Sequence, residues 1–323
     1  MRARFFWLFL TAATALLAGS NSAPDSVPSS APVAASAKPH PASGVRVGVH
    51  YVRLFVRVLN AEGRSAAGLG RNDFKVFDAE RPVQEFDLLA RQPPLRLILL
   101  LDVSESMRGE RLARLREAAL DLLGALANED RVLVAPFNST ADFSAGWRKA
   151  GDARSAVRAL SAGGGTALYD AVSGATAQFP KGDARRVILL LSDGRDERAD
   201  GLAPGSLHTA PESLRAVLRA DATLSAVGLG ADFKNGTDYF GTSKVADILG
   251  DWSARSGGVI YLQPEPAALA ASFRAALSDL RRQYLLIFRS GAKRMGEYPL
   301  RVEVPAPLRA FHRPAYQIEP DEE

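Results

Sequence analysis

One carboxylate and two hydroxyls, Asp102, Ser104 and Ser106, stand at alternate positions just after the apolar run from Leu97 to Leu101. Oxygen-bearing side chains of this kind can hold a hard divalent cation. They can equally accept backbone N–H groups, Asp102 at a strand end and the serines at the start of a helix. Their place in the chain points to a ligand site, because open α/β sheets bind ligands in the crevice beyond the carboxyl ends of their strands. Other chemistry has little footing. There is no Gly-x-Ser-x-Gly elbow, and His40, His50, His208 and His312 are scattered without ligand spacing or a neighbouring nucleophile. Position 104 is serine, so Asp102 lacks the second aspartate, two residues on, of an aspartyl-phosphate hydrolase. The segment from Gly236 to Lys244 reverses the lysine and serine of a phosphate-binding loop and reads as a polar loop, with no nucleotide.

The elements that must position these oxygens follow from periodicity. Five apolar residues without polar alternation, Leu97 to Leu101, suit a strand covered on both faces. After them, Leu112, Leu115, Ala119, Leu122, Leu123 and Leu126 recur at helical spacing, which predicts a helix from about Glu110 to Ala127 with one face on the sheet. Strands are expected at Val132 to Phe137, Val187 to Leu191, Thr223 to Leu229 and Val259 to Leu262. Helices are expected at Ala156 to Leu160, Thr166 to Phe179, Ser213 to Arg219, Val245 to Ser256 and Ala267 to Arg282. Alternation of this kind implies an α/β fold, a Rossmann-like doubly wound, mainly parallel sheet, here with small flanking β segments.

The run Asp102-Val-Ser-Glu-Ser-Met107 resembles the metal-ion-dependent adhesion site of von Willebrand factor A (VWA) domains. Two further pieces follow in order. Gly163-Gly-Gly-Thr166-Ala-Leu-Tyr-Asp-Ala171 is similar to the family's glycine-rich loop with its metal-binding threonine. Val187-Ile-Leu-Leu-Leu-Ser-Asp193-Gly194 is a second apolar strand ending in an acid. The likeness runs from about Leu95 to Leu280. It implies a metal site built from Asp102, Ser104, Ser106, Thr166 and Asp193, holding Mg²⁺, with Mn²⁺ or Ca²⁺ as alternatives. Three of the five are neutral hydroxyls, so only two formal negative charges face a doubly charged ion, which stays electrophilic at an open coordination position. The resemblance further implies that a glutamate or aspartate carboxylate of a protein partner fills that position. Glu105, Asp196 and Glu197 stand beside these pieces, where they can crowd the rim and disfavour an acidic partner. Two other readings use the same chain: a scaffold that binds through its β appendages, and a metal-dependent hydrolase, for which no positioned base is evident.

The remainder bounds the setting. A chain of 323 residues, 47% hydrophobic and 24% charged, has material for one core of about 200 residues plus smaller appendages. Arg2 and Arg4, the apolar run from Phe5 to Ala18 and the small residues after it have the order of a secretory signal peptide over residues 1–20. About 14 apolar residues fall short of the roughly 20 that span a bilayer, so the membrane is touched only through an uncleaved signal. The expectation is an exported protein, periplasmic or extracellular. The absence of cysteine excludes lipid attachment at the cleavage site and disulfide stapling. The formal net charge of +4 falls to +2 without Arg2 and Arg4, far from the concentrated basic surface of a nucleic-acid binder.

Residues 21–44, rich in Pro, Ser and Ala, read as a linker. Residues 45–92 read as a small β unit, with alternation at Val47, Val49 and Tyr51, again at Leu54, Val56 and Val58, and a hairpin-type turn at Asn60 to Gly63. Gly68-Leu69 with Asn72-Asp-Phe-Lys-Val76 is similar to the segment before the VWA domain in certain exported bacterial VWA-related proteins. Residues 95–283 form the VWA-like domain and residues 284–323 a C-terminal β extension. Around that extension lie Arg281, Arg282, Arg289, Lys293, Arg294 and Arg301, which form either solvated outer strand faces or a basic binding face.

Overall fold

The computed structural model describes residues 50–89, 92–263 and 265–318. The expected leader and linker, and Val47 and Val49, lie outside the described residues. The described residues begin with four strands, β1 (Tyr51–Leu59), β2 (Lys75–Asp78), β3 (Arg81–Pro82) and β4 (Asp87–Leu89). The central part runs through β5 (Leu95–Asp102), α1 (Glu110–Gly124), β6 (Arg131–Phe137), α2 (Ala150–Arg158), α3 (Leu168–Thr176) and β7 (Arg185–Ser192). It continues with α4 (Ala210–Arg219), β8 (Thr223–Leu229), α5 (Ala231–Asn235), α6 (Val245–Ser256), β9 (Ile260–Gln263) and α7 (Leu269–Arg282). Four more strands follow: β10 (Tyr284–Arg289), β11 (Gly296–Glu303), β12 (Arg309–Phe311) and β13 (Ala315–Ile318).

The central strands form one five-stranded parallel sheet in the order β6-β5-β7-β8-β9. The unbroken apolar run of β5 is explained by this placement. Leu95, Leu97, Leu99 and Leu101 enter one core with residues of α1, α2 and α7, while Ile98 and Leu100 enter a second with α3, α4 and α6. Full burial of each such side chain contributes roughly 1.5–3 kcal/mol. From β5 the chain steps to β6 on one side and then crosses to β7 on the other. The carboxyl ends of β5 and β7 therefore flank a topological switch point, where the connections leave in opposite directions and open a crevice.

Helix limits depart from the periodic reading at several places; α4, for one, starts at Ala210 and not at Ser213. Helix α2 starts at Ala150, well before Ala156, because Ala153 and Val157 together form its buried face. Helix α3 starts at Leu168, since the Thr166 backbone is held in a loop instead. The short α5 has too few turns to show a period.

The flanking strands build two antiparallel sheets, β12-β1-β10-β4 and β13-β11-β2-β3. Residues from both ends of the described chain interleave: Leu54 pairs with Leu286 and Val76 with Val302. The inward residues Val52, Leu54, Val56 and Val58 of β1 share one core with Phe74, Val76, Leu286, Phe288, Leu300 and Val302. Asn60 to Gly63 does turn the chain, with Gly63 N–H on Asn60 O at 3.0 Å, but it leads to a bridge between Leu59 and Ser65, not to a β1–β2 hairpin. A turn signal is local, whereas the partner of a strand is chosen by burial across the whole chain. Because β4 leads into β5 and α7 passes through Gln283 into β10, this β layer sits at the edge where the parallel strands begin. The crevice lies at the other edge. Buried Arg185, the first residue of β7, joins the two parts: Nη1 donates to Leu280 O (2.7 Å), Nη2 to Gln283 Oε1 (2.5 Å), and the guanidinium lies 3.8 Å from the Phe55 ring centroid.

Candidate metal centre

Parallel pairing of β5 with β7 puts Leu101 opposite Leu191, so Asp102 and Ser192 leave the sheet side by side. Asp102 is fully buried. Its Oδ1 accepts Ser104 N–H (2.9 Å) and its Oδ2 accepts the Ser192 hydroxyl (2.7 Å). The chain then turns so that Ser104 Oγ and Ser106 Oγ are 3.0 Å apart, and the Ser106 hydroxyl donates to Asp193 Oδ1 at 2.7 Å. Arg111, in the first turn of α1, forms an ion pair with Asp193 Oδ2 and lies 3.4 Å from Ser106 O.

Thr166 is brought in by backbone packing. Its N–H donates to Glu197 O (2.7 Å) and its carbonyl accepts Glu197 N–H (2.9 Å). Asn138 Nδ2 holds Gly163 O (2.8 Å) and Ser139 Oγ accepts Gly165 N–H (2.9 Å). Two glycines permit this closeness. A Cβ on Gly165 would lie 2.6 Å from Ala199 N, and one on Gly205 would lie 2.0 Å from Thr166 O. The Thr166 hydroxyl makes no hydrogen bond among the described residues. Ser104, Ser106, Thr166 and Asp193 line one cleft of about 720 Å³, and Asp102 lies beneath its floor.

The donor set suits a hard cation: two carboxylates and three hydroxyls, every one an oxygen ligand, of which all but the buried Asp102 line the cleft. Charge agrees. Against Asp102 and Asp193 the chain sets one guanidinium, and the Asp102 carboxyl is pushed up to about 6, chiefly by burial and next by the Asp193 charge. A bound cation would relieve that repulsion. Among the described residues no three His, Cys, Asp or Glu side chains are grouped so as to hold a metal, so a cation here would depend on the hydroxyls.

The acids expected to crowd the rim are disposed of individually. Glu105 is paired with Arg108 (2.8 Å) and Glu197 with Arg195 (2.8 Å). Asp196 is turned inward and buried. It accepts Ser206 N–H (2.9 Å), the Ser206 hydroxyl and Tyr169 N–H (3.3 Å), and burial raises its pKa. Two functional neighbours escaped sequence reasoning, Ser192 and Arg111, while Asp196 was expected at the rim and is buried instead. Arg111 did carry a signal, because a cation in the first turn of a helix opposes the macrodipole and asks for a local acid.

The fold and the site define a VWA domain with a metal-ion-dependent adhesion motif. Residues 97–195 match the von Willebrand factor type A domain family, and the chain carries such a domain. An uncharacterized protein, sll0103, of Synechocystis sp. (strain ATCC 27184 / PCC 6803 / Kazusa) is 36% identical over 115 residues, a match covering 34% of this chain and 27% of that protein. Proximal thread matrix protein 1 from the mussel byssus is similar in fold, with a TM-score of 0.50 at 14% identity over 64% of this chain and 51% of that one. A further structure of that mussel protein has a zinc-occupied MIDAS motif, with a TM-score of 0.49 at 14% identity over 62% and 49% of the two chains. The family's site implies a divalent metal.

Proposed function

We propose that this chain is an exported, non-enzymatic binding module. In this reading Asp102, Ser104, Ser106, Thr166 and Asp193 hold Mg²⁺, and through it the glutamate or aspartate carboxylate of a partner protein. The observation that carries the reading is the convergence of Ser104, Ser106, Asp193 and the unpartnered Thr166 hydroxyl on one open cleft at the switch point of the sheet. The ion supplies an electrophilic open position when bound. The residues do the rest. Asp102 fixes the Ser104 backbone and the Ser192 hydroxyl from below, Ser106 orients Asp193, and the glycine-packed turn presents Thr166. An acidic partner meets no free carboxylate from Glu105 or Glu197, each held by an arginine. The same pairing supports the non-enzymatic reading, because it engages the two rim carboxylates on which a hydrolytic base would draw.

Export rests on the sequence of residues 1–20. Among the described residues no helix is long and apolar enough to cross a membrane. N-terminal sequencing of the exported chain is expected to begin at Asn21.

A scaffold binding through the β layer is favoured by one observation. Arg81, Arg289, Lys293 and Arg294 line a cleft of about 710 Å³ and form no ion pair among the described residues, whereas Arg281 is paired with Asp130 and Arg301 with Glu303. The test is affinity capture with full-length protein in Mg²⁺ and in EDTA, repeated with Asp102→Ala and with Ser106→Ala, a change at an exposed residue. Capture of a partner that is lost in EDTA and with both variants, while circular dichroism is unchanged, supports the metal-centred reading. Capture indifferent to all three but lost with Arg289→Glu transfers the function to the β layer.

A further inference from the structure

We propose that Arg111 is the built-in rival of the metal: its guanidinium occupies Asp193 and thereby sets how tightly the site takes a divalent cation. The inference rests on the metal-centred reading and goes beyond it by naming the residue that tunes the site. Asp193 has both oxygens engaged by the chain itself, Oδ1 by the Ser106 hydroxyl and Oδ2 by Arg111. Its side chain is 0% exposed, whereas that of Arg111 is 35% exposed and lines the same cleft. The two partners are therefore unequal. The acid cannot leave, but the guanidinium sits on a long stem at the cleft mouth and can turn outward.

The local fold makes the contact deliberate in physical terms. Gly109, with φ of +80°, turns the chain into α1 and sets Arg111 in the first helical turn, where the exposed N–H groups repel a cation. What holds it there is Asp193, with Ser106 O at 3.4 Å. The neighbouring cations differ. Arg108 pairs with Glu105 and Arg195 with Glu197, so Arg111 alone among these three is spent on a proposed metal ligand.

Two consequences follow. When no ion is bound, Arg111 neutralises a buried carboxylate, because an unpaired buried charge is strongly destabilising. With an ion arriving, the same positive charge must be pushed off Asp193 or tolerated beside the new cation, and either lowers affinity. The residue trades metal-free stability against metal affinity.

The experiment compares the full-length wild-type protein with Arg111→Gln and Arg111→Lys, using Mn²⁺ alone as the calorimetric probe and thermal unfolding in EDTA as a second readout. Arg111→Gln is expected to bind Mn²⁺ about tenfold or more tightly, the equivalent of about 1.4 kcal/mol or more. It is also expected to unfold at a lower temperature in EDTA, with the gap closing at saturating Mn²⁺. Arg111→Lys keeps the charge and is expected to stay near wild type in both. Equal or weaker Mn²⁺ binding by Arg111→Gln, while the wild type binds, overturns the inference and leaves the metal reading standing. No uptake by any of the three proteins overturns both. An unchanged melting temperature of Arg111→Gln in EDTA also overturns the inference, since Asp193 would then not depend on Arg111.

Discussion

Replacing Gly205 by alanine tests whether the Thr166 turn is set by close backbone packing. The added Cβ would lie 2.0 Å from Thr166 O, 2.8 Å from Thr166 C and 3.0 Å from Glu197 N. Comfortable non-bonded separations are about 3.5 Å, so roughly 1.5 Å has to be found, and every neighbour is backbone. If the turn stays and absorbs the strain, overpacking costs about 1–3 kcal/mol. Loss of the paired Thr166–Glu197 hydrogen bonds adds about 0.5–1.5 kcal/mol each. The expected destabilisation is then about 2–6 kcal/mol. If the loop carrying Gly205 swings away instead, it must drag Ser206 off Asp196, and Thr166 loses the wall that positions it. Urea unfolding in EDTA reads the first effect free of any metal, and calorimetric titration with Mn²⁺ reads the second as affinity at least about tenfold weaker. A Gly205→Ala protein within about 0.5 kcal/mol of wild type, with Mn²⁺ affinity unaltered, would refute the packing argument.

Arg185→Met is expected to cost about 2–4 kcal/mol in urea unfolding, because it strands the buried acceptors Leu280 O and Gln283 Oε1, while Mn²⁺ titration at the far edge of the sheet stays unchanged. A loss below about 0.5 kcal/mol would show that the seam between the parallel sheet and the β layer does not depend on this side chain. His312 gives a pH dependence. Its ring takes Val302 N–H on Nε2 (3.2 Å) and lies 2.7 Å from Arg313 O through Nδ1, and burial holds its pKa below the ordinary 6.5. A base with a depressed folded-state pKa contributes stability above its unfolded value and loses it as pH falls through the folded one. Asp102, raised to about 6, acts in the opposite sense, its contribution growing as pH falls toward 4. The difference between wild type and His312→Gln therefore isolates the histidine: unfolding free energy between pH 7.5 and about 5 should fall more steeply in wild type. Parallel curves would remove His312 from the account.

What the sequence determined by itself was local. An unbroken apolar run such as Leu97 to Leu101 suits a strand between two helical layers, and the 3.6-residue recurrence in Leu112, Leu115, Ala119 and Leu122 names the face that packs there. Asp102, Ser104 and Ser106 were legible because they alternate within five residues of the chain, and Thr166 and Asp193 because each sits in its own compact motif. Tertiary structure alone decided which side chains meet across long separations. It turned Asp196 from a rim acid into a buried clasp, set Arg111 on Asp193, laid Gly205 against Thr166 and wove β1 with β10 and β2 with β11. Periodicity reports which way a residue faces. The identity of its partner depends on how the faces of remote segments close over one another, and no short window of sequence contains that information.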